Sequence, residues 1–199
     1  RFVRYADDCN IYVRSERAGQ RVMQSIKDFI SRKLKLKVNE SKSAVARPGT
    51  RKFLGFSFTA GREPKRRIAP KALDRLKDRI REMTARTRGI SPEEVIGGLA
   101  RYLRGWRAYF GYCQTPSVLE QLEEWIRRRL RAVIWKQWKQ GRTRYRELRQ
   151  RGVTRDLAAQ TAGSPKGPWC LARSPALSRA FRNSDFASLG LPSLRSTTA

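Results

Sequence analysis

Near the basic run Arg62–Arg67, which reads as a linker, the hydrophobic pattern of the chain changes period, and this change constrains the fold most. Before it, short β-prone runs alternate with one amphipathic stretch. After it, apolar residues recur almost only at helical spacing. Such a chain cannot close into an all-β barrel or one uniform bundle. It reads as α+β: a mixed first part followed by a mostly α-helical second part.

In the first part, Phe2-Val3-Arg4-Tyr5 and Cys9-Asn10-Ile11-Tyr12-Val13 flank Ala6-Asp7-Asp8, which predicts a β-hairpin with those three residues at the turn. Ser15 caps a helix that starts at Glu16, and Val22, Ile26, Phe29 and Ile30 give it one apolar face. Leu36–Val38 is expected to be extended, Asn39–Lys42 a turn, and Ala44–Ala46 a short strand. Phe53, Leu54, Phe56 and Phe58 predict a further strand with Gly55 inside it.

In the second part, Pro70 opens a helix to about Arg86. Ser91-Pro92-Glu93-Glu94 has the signature of a capped N-terminus, and Thr115-Pro116 opens a third helix. Val153–Ala162 fits a short helix, and an extended tail is expected from Gly163 onward. Its scattered Trp169, Leu171, Phe181, Phe186, Leu189 and Leu191 suggest docking on another surface. The predicted parts are 1–66, 67–155 and a C-terminal tail, 156–199.

The chain holds 45 Lys and Arg against 17 Asp and Glu, a formal charge of +28. Such an excess repels itself unless a polyanion is near, and nucleic acid is the partner it favours. Histidine is absent, which excludes Ser-His-Asp triads and His-ligated metals. Cys9, Cys113 and Cys170 are far apart and form no CxxC pair, which argues against a zinc ribbon or disulfide framework and fits a reducing intracellular location. No apolar run is long enough to predict a membrane span.

Tyr5-Ala6-Asp7-Asp8 is the sharpest chemical signal. Adjacent carboxylates on a rigid hairpin offer the hard oxygen ligands that Mg²⁺ takes beside substrate phosphates. Another signal is Arg127, Arg128, Arg129 and Arg131, then Lys136, Lys139, Arg142 and Arg144. A solvated helix face mixes both signs, and this one scarcely does, so phosphate binding is expected there. Trp106, Tyr109 and Phe110 share a helix face and are expected in the core.

Phe2–Asp8 resembles the catalytic hairpin of reverse transcriptases. Leu36–Ser43, Lys52-Phe53-Leu54-Gly55-Phe56, Leu103–Phe110 and Trp125–Leu130 resemble, in order, later blocks of the reverse transcriptase/maturases encoded by bacterial group II introns. The resemblance implies the end of a palm followed by a helical thumb or maturase-specific domain. It implies RNA-directed DNA synthesis with Mg²⁺, a template-primer and dNTPs in the bacterial cytoplasm, and assistance to splicing of group II intron RNA.

By the same resemblance, Asp7 and Asp8 are metal-binding and catalytic. Tyr5 and Ala6 lie beside the nucleotide and primer end, and Lys42 near the nucleotide phosphates. Phe53, Leu54 and Gly55 approach the primer backbone. Arg104, Arg107 and the basic residues from Arg127 to Arg144 track RNA phosphates. Such a polymerase needs fingers and a further palm Asp upstream of the hairpin, and Arg1 begins after both. This predicts that the chain alone does not extend primers. An RNA-binding maturase module, or a truncated mobile-element remnant without catalysis, is the alternative reading.

Overall fold

The structure, a computed structural model, describes residues 1–87 and 89–195. The chain divides between Ala69 and Pro70 into two compact units.

The first unit starts with an antiparallel hairpin of β1 (Phe2–Tyr5) and β2 (Asp8–Ile11), with Tyr5 opposite Asp8. The turn is therefore Ala6-Asp7, with Ala6 at φ 52°, and Asp8 already belongs to the strand. Helix α1 (Glu16–Arg32) follows, and Ser15 Oγ accepts from the amide of Ala18. Gly19 is buried in it: a Cβ there would lie 2.6 Å from Val45 Cγ1. The Ala44–Ala46 segment thus packs on α1 through Gly19, and it does so without forming the expected strand. Leu36–Val38 is not a strand either.

The strand expected through Phe53–Phe58 is broken by a turn. Leu54 and Gly55 stand at φ 50° and 76°, and Phe53 and Phe56 exchange backbone hydrogen bonds of 2.8 and 3.0 Å across them. Positive φ at both central residues marks a tight hairpin turn of the I′ kind, where Gly is at ease and Leu is strained. Only Phe56–Phe58 continues as β3, paired antiparallel with β4 (Arg66–Ile68). Strand β4 thus occupies the end of the basic run where a linker is expected.

The second unit is helical: α2 (Pro70–Met83), α3 (Pro92–Phe110), α4 (Pro116–Gln137), α5 (Gly141–Gln150) and α6 (Arg155–Ala162). Proline stands first in α2, α3 and α4, where its missing amide hydrogen is not needed. Ser91 and Glu94 form a reciprocal capping box on α3, with bonds of 3.1 and 3.0 Å. Ser91→Ala is expected to lower stability by about 1 kcal/mol, read from a denaturant midpoint. The core joins Leu76 and Ile80 of α2, Ile96, Leu99 and Leu103 of α3, and Ile126, Leu130 and Trp135 of α4.

The segment after Gly163 corrects the expected extended tail. It forms three short helices: α7 (Pro168–Leu171), α8 (Pro175–Ala180) and α9 (Asn183–Ser188). Helix α7 packs on α4, and α8 packs on α5 and α6. Leu171, Phe181 and Phe186 are buried, with Leu177 and Leu194, so these dock on the chain's own helices, while Trp169 and Leu189 remain 37% and 46% exposed. The expected division after Arg155 falls inside α6. The last four residues of that tail, 196–199, lie outside the described residues.

Candidate nucleic-acid interface

The hairpin β1–β2 places Asp7 at its tip and Asp8 one residue into β2, so the two carboxylates are adjacent but differently supported. Arg4 Nε donates to the carbonyl of Ala6 at 2.8 Å and braces the turn. Tyr5, Ala6, Asp7 and Asp8 are all exposed. Alternation along the strands puts Tyr5 and Asp8 on one face, with Val3 and Asn10. Hard carboxylate oxygens suit Mg²⁺, which shares its shell with waters and phosphates. Among the described residues no group of three or more His, Cys, Asp or Glu forms.

Lys42 and Phe53-Leu54-Gly55 lie on turns of the same unit. The Lys42 amide donates to the Asn39 carbonyl, and its own carbonyl accepts from Arg51 Nη2 at 2.7 Å. No ion pair joins Lys42 to Asp7 or Asp8 among the described residues.

The arginine run on α4 behaves differently from a solvent-facing stripe. Arg127 Nη1 reaches Glu123 Oε2 at 3.2 Å. Arg128 donates twice to the carbonyl of Trp169, at 3.3 and 2.9 Å, and its guanidinium lies 3.8 Å from the indole centroid. Arg129 Nε donates to Thr84 Oγ1 at 2.6 Å, and its guanidinium lies 5.3 Å from the Trp125 ring. Arg131 donates to the Phe181 carbonyl at 3.2 and 2.8 Å beside Phe186. On α5, Arg144 Nε donates to Trp138 O at 2.7 Å, and its guanidinium lies 4.8 Å from the Trp135 ring.

These guanidiniums fasten α7 and the approach to α9 onto α4, and α4 onto the end of α2. Burial pulls Arg128, Arg129 and Arg131 below the usual arginine pKa. Neighbouring cations add to the effect: Arg173 for Arg128, Arg81 and Arg86 for Arg129, and Arg127 for Arg131. They remain charged at neutral pH.

The other basic candidates face solvent. Arg104, Lys136, Lys139 and Arg142 are exposed, and Arg107 is half-buried. Lys136 lies in the last turn of α4, Lys139 in the connection, and Arg142 in the first turn of α5, so the three exposed cations fall at the α4–α5 junction.

The aromatic residues of α3 depart from the expected core stripe. Trp106 and Phe110 are half-buried and stack at 4.8 Å, while Tyr109 is 49% exposed and meets Phe110 edge-on. Just past them, Arg104, Arg107, Ala108, Gly111 and Tyr112 line a shallow concavity of about 390 Å³. Tyr112 and the buried Glu123 escape a sequence reading. The only trace of Tyr112 is its spacing of four and eight residues from Ala108 and Arg104. Glu123 has the pattern of any acid on a helix surface.

Two family models match the chain. The model described as "Group II intron, maturase-specific domain" matches residues 73–152, within the helical unit. The model described as "Reverse transcriptase (RNA-dependent DNA polymerase)" matches residues 1–58, which include the carboxylate hairpin. No curated protein matches the chain. The pair of domains implies nucleic-acid partners. Among the described residues no helix is long and apolar enough to cross a membrane.

Proposed function

The chain belongs to the group II intron reverse transcriptase/maturases, and on that footing we propose that its two units divide the work of copying and of holding RNA. The first unit contributes Asp7 and Asp8 to the polymerase centre of the complete enzyme. Mg²⁺ bound there with the dNTP would offset the charge of the triphosphate and lower the pKa of the attacking 3′-hydroxyl. Asp7 and Asp8 would hold it. Tyr5 and Ala6 flank the nucleotide and primer end, Lys42 adds positive charge for phosphates, and the Phe53-Leu54-Gly55 turn meets the primer backbone. Two carboxylates alone position nothing in line, so this chain by itself does not extend a primer.

The second unit grips group II intron RNA in the bacterial cytoplasm and supports its splicing. The observation that carries this reading is the set of solvent-facing cations Lys136, Lys139 and Arg142 at the α4–α5 junction, next to a helix that turns Arg128, Arg129 and Arg131 onto the protein itself.

A salt titration of RNA binding tests it. The logarithm of the affinity should fall with log salt by about 0.7 to 0.9 for each phosphate contacted. The triple variant Lys136→Ala, Lys139→Ala, Arg142→Ala should flatten that slope by about 2 while leaving the melting temperature unchanged. A wild-type slope near zero defeats the proposal.

A further inference from the structure

The concavity at the end of α3 has a composition that a plain basic patch lacks. Arg104, Arg107, Ala108, Gly111 and Tyr112 line an open surface concavity of about 390 Å³. Ala108 and Gly111 bring little side-chain bulk to that lining. Arg104 and Ala108 lie four residues apart on one side of α3, and Tyr112 follows the Gly111 C-cap just beyond the helix end. Tyr112 is 70% exposed, and an aromatic ring so placed offers a flat surface of the size of a base.

Electrostatics fix which end of a nucleotide goes where. The C-terminus of α3 carries partial negative charge, which disfavours a phosphate near Gly111. Arg104 and Arg107, one to two turns back, reverse that sign. A nucleotide therefore fits with its phosphate on the two guanidiniums and its base beside Ala108 and Gly111 against Tyr112.

We infer that this concavity seats one unstacked nucleotide of single-stranded RNA, with the base on the Tyr112 ring and the phosphate between Arg104 and Arg107. The inference rests on the RNA-binding reading above and deepens it, because it selects single strands, loops and bulges over continuous duplex. A paired base has no free face to offer, whereas every unpaired base has one.

The test uses the full chain, a fluorescein-labelled single-stranded RNA 12-mer and a blunt RNA duplex of the same length, with binding read by anisotropy. Tyr112→Ala should weaken single-strand binding about tenfold, the loss typical of one stacked base, and leave duplex binding within twofold. Tyr112→Phe should restore single-strand binding, since the ring and not the hydroxyl is used. Replacing Arg104 and Arg107 by Ala should flatten the single-strand salt slope by about 1.4.

Equal losses on both RNAs would overturn the inference, as would unchanged single-strand binding by Tyr112→Ala. If that happens while the wild-type salt slope stays steep, the RNA-binding reading survives without it. If the wild type binds neither RNA, both fall together.

Discussion

Replacing Glu123 by Ala should lower the melting temperature of the chain by roughly 6–12 °C, the equivalent of about 3 kcal/mol for a chain of this size. Glu123 is only 8% exposed, yet its carboxylate is the meeting point of distant segments. Oε1 accepts from the Ser193 hydroxyl at 2.8 Å and from the Leu194 amide at 2.6 Å. Oε2 takes Arg127 at 3.2 Å. Truncation leaves the Leu194 amide and the Arg127 guanidinium without their acceptor, and such orphaned donors cost far more than the bond nets when present. Leu194 itself is buried, so loosening the strap also exposes apolar surface.

The pH dependence follows from the same contacts. Burial raises the Glu123 pKa, but the bonds from Ser193, Leu194, Arg127 and Arg195 outweigh it and hold the carboxyl below its ordinary value. A depressed carboxylate stabilises the fold in full above its unfolded pKa and loses that contribution as pH falls through the folded one. Thermal melts by circular dichroism should therefore show an acid-side decline that Glu123→Gln reduces. An unchanged melting temperature for Glu123→Ala would show that the strap is held by apolar packing alone.

The other large effect concerns the hairpin tip. In the complete polymerase, Asp7→Asn should reduce cDNA synthesis by about 10³-fold or more, because the amide cannot supply the charge that a metal-held carboxylate does. RNA affinity should stay within twofold, since the hairpin belongs to the other compact unit from the basic helices. Primer extension on an RNA template reads the first quantity, and anisotropy reads the second. Synthesis within tenfold of wild type would remove Asp7 from the metal site. Loss of RNA binding would show that the hairpin also serves the maturase role.

Helices α2, α3 and α4 were legible because their signals are local. Periodic Leu and Ile mark the buried face, and Ser91-Pro92 and Thr115-Pro116 mark where α3 and α4 begin. The carboxylate hairpin was legible for the same reason, apart from one residue of register at Asp8.

What stayed hidden depends on partners far along the chain. Nothing in Lys52–Phe56 announces that Leu54 takes a positive φ, so a turn reads as a strand. Arg66–Ile68 has the composition of a linker because its charge masks a pairing with Phe56–Phe58. Short helices α7 to α9 have too few turns to show a period, and they hold only through burial of residues such as Leu177 and Phe186. The arginine run is the deepest case. Whether Arg128 meets solvent or the Trp169 carbonyl, 41 residues away, is a fact of tertiary structure.

Those inward-turned guanidiniums have a practical consequence. Hydrogen bonds at about 3 Å to a carbonyl, and guanidiniums packed against a ring, are short-ranged contacts that survive when mobile ions fill the solvent. Repulsion among the surface charges of a +28 chain does not survive, and neither do contacts to phosphate. Concentrated salt therefore acts on the two in opposite senses: it strips bound nucleic acid and relieves the protein. A purification that washes the captured chain at about 1 M salt should yield clean, folded material. Dilution into low-salt buffer without RNA is the step at which the fold is expected to loosen, because the surface charges then repel one another unscreened.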